Sequence, residues 1–465
     1  MSSMSDNRPW YKELNRYHWF VLTVAALGWL FDTMDQQLFT LARVPAMKEL
    51  LNIGANPTAL EKAQVSEYGG YATAIFLIGW ASGGLIFGIM GDRFGRAKVM
   101  LWTILIYSLC TGLSALSVGF WDFAFYRFLT GLGVGGEFAV GVSLVAEVMP
   151  DRARPYALGL LQALSAVGNI TAALINIGFG QLQETGLIGG LSIFGIQLTA
   201  WRLMFVVGTV PALLAVAIRR KLKEPERWQS AVKDGVASKH LGSYAELFSD
   251  PRWRRNTLVG LSLAFSGVVG LWGIGFFAPD LVRKVFTLRF QEQGLTPEQV
   301  EGKLFLWTGI NSIMQNVGGF FGIYAFSLIT FRLGRRKAFG LSFVAALAST
   351  AFFFWNINQL SDMFWMTPLM GFCQLSLFGG YAIYFPELFP TRLRSTGVSF
   401  CYNVGRFVAA LGPYALGKLT LMFSTERGFT QEPMRYAGVV MCSVFLLGLF
   451  TLPFAPETQN KPLPE

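Results

Sequence analysis

The chain is expected to fold as an all-helical membrane protein, with twelve transmembrane helices in two pseudosymmetric six-helix bundles. Three observations predict this. Apolar residues fill 53% of the 465 positions and charged residues only 14%, against roughly a quarter charged in ordinary soluble domains. The apolar residues also lie in unbroken blocks. Uncharged stretches run from Val99 to Trp121, Leu304 to Phe331, Ala338 to Ser361, Met363 to Pro386 and Tyr436 to Pro456, each longer than the ~18 residues a helix needs to cross hydrocarbon. Finally, the chain repeats itself about 240 residues on. Glu147-x-x-Pro150-x-Arg152-x-Arg154 returns as Glu387-x-x-Pro390-x-Arg392-x-Arg394, and Arg93-x-Gly95-Arg96 returns as Arg332-x-Gly334-Arg335. That period is too long for a solenoid and fits a duplicated helical bundle.

Taken in order, the apolar blocks place helices near 18–42, 67–90, 98–118, 121–148, 156–180, 201–219, 256–282, 304–330, 338–357, 362–388, 395–420 and 434–453. The first sixteen positions are largely polar and carry no cleavable-signal pattern. Trp10, Tyr11, Tyr17, His18 and Trp19 read as an interfacial anchor ahead of the first helix. The polar, basic stretch 220–254 separates a first bundle, 1–219, from a second, 255–465, and residues 43–66 and 281–303 form the two larger loops of the opposite face.

The net charge of +10 does not point to nucleic acid, because its distribution follows membrane topology. Arg93, Arg96, Lys98, Arg152, Arg154, the run from Arg219 to Lys239, Arg332, Arg335, Arg336, Lys337, Arg392 and Arg394 all fall in alternate loops. Basic loops stay on the cytoplasmic side. The expectation is therefore a multi-pass protein of the inner (plasma) membrane with both termini cytoplasmic, in contact with lipid and monomeric. Cys110, Cys373, Cys401 and Cys442 stand singly in apolar helices and read as packing residues, and His18 and His240 lie far apart in sequence. No metal or cofactor is expected, and no nucleophile–base set or phosphate loop suggests an enzyme.

Gly88-x-x-x-Asp92-Arg93-x-Gly95-Arg96-x-Lys98 closely resembles the signature loop of the major facilitator superfamily. The second copy departs from it, since Phe331 stands at the aspartate position, so a charge latch there should be asymmetric. Arg127-x-x-x-Gly131-x-Gly133-x-Gly135 resembles the superfamily's arginine–glycine motif, whose glycines permit close helix approach. Pro386-Glu387-Leu388-Phe389-Pro390-Thr391-Arg392 is similar to the sugar-porter and organic-ion branch, and Asp32-Thr33-Met34-Asp35 matches the spacing of aromatic-acid/proton symporters. The sugar-porter reading is weaker because Ser262–Ala278 lacks that family's paired glutamines and asparagine. The glycine–proline motif of drug antiporters is absent from the fifth helix. The resemblance implies a secondary transporter working by alternating access around a site between the bundles.

Ionisable residues within spans are costly and face a cavity or a partner. Here they are Asp32, Asp35, Arg127, Glu137 and Arg406. At the helical rise, Asp35 and Arg127 each lie about 9 Å inside the outer ends of their helices, so an ion pair is possible. Family resemblance implies that it couples protons; a static pair is the alternative. Asp32 can share a proton with Asp35 or bond a neighbouring helix. Glu137 can relay protons or make a structural bond to helix 2 or 11. Asp92, Arg93, Arg96, Glu147, Arg154, Glu387 and Arg392 are the expected gating residues, the two glutamates pairing with the arginines of their own motifs.

Arg406, roughly 16 Å from the nearer end of its helix, has no acidic residue at mid-depth in its own half and suits a carboxylate. Its alternative partners are Asp32 or a backbone carbonyl. Asn403, three residues before it, shares its face. Gln162, Asn169, Gln315, Asn316 and Gln374 are candidate polar contacts, and Tyr71, Trp80, Trp272, Phe276, Trp307, Tyr381, Tyr384 and Tyr402 candidate aromatic ones. The expected function is proton-coupled import (symport) of a small organic anion such as an aromatic or sugar-derived carboxylate. The alternatives are a neutral or cationic solute, or a non-transporting membrane binding protein of the same fold.

Overall fold

The computed structural model describes residues 9–464 except 55–57, 185–187, 189–191, 194, 234–240, 276–277, 295–296, 410–418, 420–421 and 424–432; His240 and Phe276 lie outside the described residues. The first half runs through α1 (Arg16–Leu50), α2 (Ala59–Phe94), α3 (Arg96–Ser114), α4 (Phe120–Val148), α5 (Arg154–Glu184) and a broken pair, α6 (Ala200–Val207) with α7 (Ala212–Lys221). Two short helices, α8 (Glu226–Lys233) and α9 (Tyr244–Ser249), occupy the linker. The second half comprises α10 (Pro251–Gly273) with α11 (Ala278–Glu292), then α12 (Pro297–Leu333), α13 (Arg335–Asn356), α14 (Leu360–Leu388) and α15 (Arg394–Ala409). It ends in the pair α16 (Pro433–Met441) and α17 (Val444–Thr451). Seven of the described segments are each long and apolar enough to cross a membrane. With α1, α14, α15 and the pairs α6–α7 and α10–α11 they make the twelve passes of the expected fold.

The breaks have local causes. Pro211 has no N–H to offer the helix and separates α6 from α7. Asp250 caps α10 by accepting from the N–H groups of Arg252 and Trp253, with Pro251 at the first turn, so this helix begins inside the stretch expected to be linker. Thr58 and Glu61 form a reciprocal cap on α2. α1 instead overruns its expected end and continues through Pro45 to Leu50, shrinking the expected 43–66 loop. Ala46, Met47 and Leu50 are buried there, and that burial outweighs the ~3 kcal/mol of an internal proline.

Within the first bundle α4 packs on α2 and α3, and α1 on α5; within the second, α14 packs on α12 and α13, and α10 on α15. The bundles meet along two seams, α5 with α12 and α2 with α15. The α2–α4 contact is backbone to backbone. A Cβ at Gly131 would meet the carbonyl of Phe76 and the nitrogen of Trp80, and one at Gly135 the carbonyl of Trp80 and the nitrogen of Gly84. The repeated Arg-x-Gly-Arg loops turn at Gly95 and Gly334, whose φ angles of 106° and 86° disfavour any residue with a Cβ.

Candidate functional site

The described helices bring the ionisable residues of the first bundle into one buried set. Arg127 on α4 donates through Nη2 to Asp35 Oδ2 on α1 at 3.1 Å, and Thr111 on α3 donates to Asp35 Oδ1 at 2.6 Å. The guanidinium is boxed by aromatic rings, 4.5 Å from the centroid of Phe39 and 4.8 Å from that of Phe76. Asp32, one turn along α1, is buried, and neither of its oxygens receives a hydrogen bond among the described residues. Glu137 accepts from Thr103 on α3 at 2.8 Å, while its other oxygen has no partner among the described residues and lies against Gly28 of α1. Its partner is therefore on helix 3, not on helix 2 or 11 as expected. Gly28, Asp32 and Asp35 follow one another along a single face of α1. Three carboxylates thus share one cation, and a buried charge without a counter-charge is expensive.

Arg406 lies at the junction of the bundles. Its guanidinium sits 3.8 Å from the ring centroid of Trp80, on α2 of the other bundle, and 4.7 Å from that of Tyr402. Tyr402 in turn stacks on Phe138 of α4 at 4.0 Å, and Trp80 meets Trp272 of α10 edge-on at 6.2 Å. The alternative partner Asp32 is not bonded to Arg406, and neither Nε nor Nη1 of Arg406 has a hydrogen-bond partner among the described residues. Buried donors of this kind are the minority that call for an explanation.

The other expected contacts divide. Asn403 donates to Ser399, packs on Gly84 and keeps its oxygen unpartnered. Gln162 is buried, and its oxygen, like that of Asn403, has no partner among the described residues. Asn316 accepts from Asn169 across the α5–α12 seam at 2.9 Å. Gln315 is half-buried on α12, and Gln374 donates to Thr350 of α13 at 2.8 Å. Tyr381 is a correction: its hydroxyl donates to the carbonyl of Leu263, and its ring stacks on Phe385 inside the second bundle. An aromatic residue in a crowded helix is recruited for packing unless something holds it at the bundle junction.

At the basic face, which carries both described chain ends, the bundles are tied by charge. Asp92, at the end of α2, accepts from the backbone N–H groups of Ser395 and Thr396 at 3.1 and 2.8 Å and from the Thr396 hydroxyl at 2.6 Å. It thereby caps the amino-terminal end of α15. Arg96 binds Asp92 at 2.9 Å, Glu147 at 3.0 Å and the Thr391 carbonyl at 2.6 Å, and Arg394 binds the same Glu147 oxygen at 2.7 Å. Arg93 donates to the carbonyl of Leu241 in the linker. In the second bundle Glu387 pairs with Arg335 at 2.8 Å and accepts from Thr458. Glu457 receives backbone N–H groups at the start of α13. Its partial burial disfavours the charge, but the N–H groups of Arg335, Gln459, Arg336 and Thr458 outweigh that and hold its carboxyl below the ordinary value.

A family model described as "Sugar (and other) transporter" matches residues 36–247. The niacin transporter NiaP of Acinetobacter baylyi is 27% identical, covering 99% of this chain and 98% of its own. The cis,cis-muconate transport protein of the same organism is 27% identical over 89% and 91%. Among solved structures, the proton:xylose symporter XylE, of the major facilitator superfamily, superposes with a TM-score of 0.68 at 17% identity, covering 96% of this chain and 98% of its own. The human organic anion transporter MFSD10 gives 0.61 at 16%, covering 94% and 99%.

Along most of its length the chain is similar to these transporters, and it shares the fold of the two solved structures.

The glutamates correct the expected pairing. Glu147 binds Arg96 and Arg394, not the Arg154 of its own motif, which donates to the Ala146 carbonyl and to Asp151. Glu387 binds Arg335, while Arg392 binds Glu246 of α9. Residues a few positions apart around a Pro-kinked helix end point in different directions, and the nearest charges come from other helices. Of the candidate aromatic residues, Trp80 and Tyr402 are the ones whose rings lie on Arg406; nothing in the sequence sets these two apart from the other candidates.

Proposed function

We propose that this transporter carries a small organic carboxylate inward, coupled to protons. The observation that carries the reading is the buried guanidinium of Arg406, with no acidic partner and two unpartnered donors among the described residues, at the junction of the bundles. Arginine's planar fork matches a carboxylate and stays charged at any physiological pH. The chain's similarity to a niacin transporter and a cis,cis-muconate transport protein supports an acid as cargo. The aromatic rings of Trp80 and Tyr402 on the guanidinium, with Phe138 stacked on Tyr402, suit a planar or conjugated acid.

Protons enter through the first bundle. One cation, Arg127, faces three carboxylates, so charge balance places exchangeable protons on the set Asp32, Asp35 and Glu137. Protonating Asp35 releases Arg127 and changes the packing of α1 against α4. The bundles 1–219 and 255–465 then rock about the site, with 220–254 as their link. The Asp92, Arg93, Arg96, Glu147, Arg154, Glu387 and Arg392 network is the gate of the basic face, which the positive-inside rule makes the cytoplasmic one. Equilibrium binding of nicotinate and of its neutral amide to wild type and Arg406→Ala tests the cargo assignment. Selective loss of nicotinate is expected; equal losses for both ligands would make Arg406 an organiser of the helix.

A further inference from the structure

Arg406 belongs to the second bundle, yet the ring it lies on belongs to the first. Trp80 is 2% exposed and its indole N–H has no hydrogen-bond partner among the described residues. With the guanidinium 3.8 Å from the ring centroid, the indole N–H joins Arg406 Nε and Nη1 in one group of buried donors that no acceptor among the described residues serves. The backbone of Trp80 is held where it is by the glycines of α4 at 131 and 135, which makes the indole a fixed platform. Three preorganised donors with no acceptor are complementary to an anion.

We propose that Trp80 is the second anion contact: its N–H donates to the carboxylate bound by Arg406, so the solute bridges α2 and α15. The proposal rests on the anion reading of Arg406 above. It gives the carboxylate a second task, because an anion held from both bundles favours the arrangement that brings them together. Trp80→Phe keeps an aromatic face for the guanidinium and removes only the donor. Nicotinate affinity should then fall about tenfold or more, with nicotinamide affinity unchanged. Wild-type affinity for nicotinate, or an equal loss for both ligands, would overturn the role of Trp80. Retention of nicotinate binding by Arg406→Ala would overturn the parent reading separately. Failure of wild type to bind nicotinate, benzoate or cis,cis-muconate would overturn both.

A separate observation concerns Arg152 and Arg392, which occupy the same place in the two repeats. Arg152 binds Glu13 at 2.7 Å and Arg392 binds Glu246. Glu13 closes a 3-10 turn, Trp10–Glu13, just ahead of α1, and Glu246 lies in α9, just ahead of α10. The second segment reaches across a seam between bundles, and the first packs on a residue that lies in the other seam. The Tyr244 hydroxyl of α9 donates to the Leu85 carbonyl of α2 at 2.7 Å. Trp10 stacks on Tyr156 of α5 at 5.6 Å and 8°, and Tyr156 packs at 5.6 Å on Phe331 of α12. Phe331 stands where the first repeat has Asp92, so the α5–α12 seam has an aromatic stack where the α2–α15 seam has a carboxylate cap.

We infer that the segment Trp10–Glu13 is a strap that braces Tyr156 of α5 against Phe331 of α12, and so holds the α5–α12 seam shut in place of the missing aspartate latch. A cysteine at Ser327, buried on α12 against Gly159, reports opening through its maleimide labelling rate. Trp10→Ala and Glu13→Gln should each raise that rate about threefold to tenfold, the range of one lost aromatic or ionic contact. Lys12→Ala, on the exposed side of the same turn, should not. Unchanged labelling in both strap variants, or an equal rise in Lys12→Ala, would overturn the inference.

Discussion

Asp92→Asn removes one negative charge from a point where three donors of the opposite bundle converge. The carboxylate takes the Ser395 N–H on one oxygen and both the N–H and hydroxyl of Thr396 on the other. Asparagine can offer one oxygen; its amide N–H then faces a donor. Bonds to a charged group are worth about 1.5–3 kcal/mol each and are not additive, and the helix end adds a further ~0.3–1 kcal/mol. Arg96, left with Glu147, recovers part of this. A net loss of about 3 kcal/mol corresponds to roughly a hundredfold shift toward an open basic face. The assay is maleimide labelling of Ser327→Cys in wild-type and Asp92→Asn backgrounds, with thermal unfolding as the check on folding. A labelling rate within twofold of wild type, in a protein of unchanged stability, would refute the assignment of Asp92 as the latch.

Other predictions follow the same geometry. Asp35→Asn should abolish proton-driven accumulation yet leave counterflow exchange, because exchange needs no net proton cycle; retained accumulation with a normal pH dependence would remove Asp35 from coupling. Gly131→Leu should prevent a folded yield, since a branched side chain would have to occupy the space of the Phe76 carbonyl and Trp80 nitrogen; near-normal detergent stability would contradict the packing. Glu457, whose carboxyl is held below its ordinary value, contributes stability above the unfolded carboxyl range and loses it as pH falls through its folded value. Glu457→Gln should therefore flatten the acid limb of the stability–pH profile measured by thermal shift.

Much of this arrangement is legible in the sequence because helical rise is constant. Depth along α1 and α4 puts Asp35 and Arg127 at one level, and the structure has them 3.1 Å apart. The uncharged blocks and the repeat give the twelve passes for the same reason: a bilayer fixes helix length and duplication fixes order. What linear spacing does not carry is rotation and partner choice between distant helices. Glu147 finds Arg96 and Arg394 because α2, α4 and α15 end together at the basic face. Trp80 lies under Arg406 because α4's glycines draw α2 inward. Tyr381 is spent on the Leu263 carbonyl, which no pattern in α14 announces. The continuation of α1 through Pro45 likewise depends on burial supplied by other helices.

The central claim, proton-coupled carriage of a carboxylate through Arg406, is tested most directly by uptake into proteoliposomes. Purified protein would be reconstituted, and labelled nicotinate, benzoate and cis,cis-muconate presented with and without an imposed gradient, acid outside. Accumulation of at least one acid above its external concentration only when the gradient is present, and its loss in Arg406→Ala, is the predicted result. Uptake indifferent to the gradient, or unchanged in Arg406→Ala, would contradict the account.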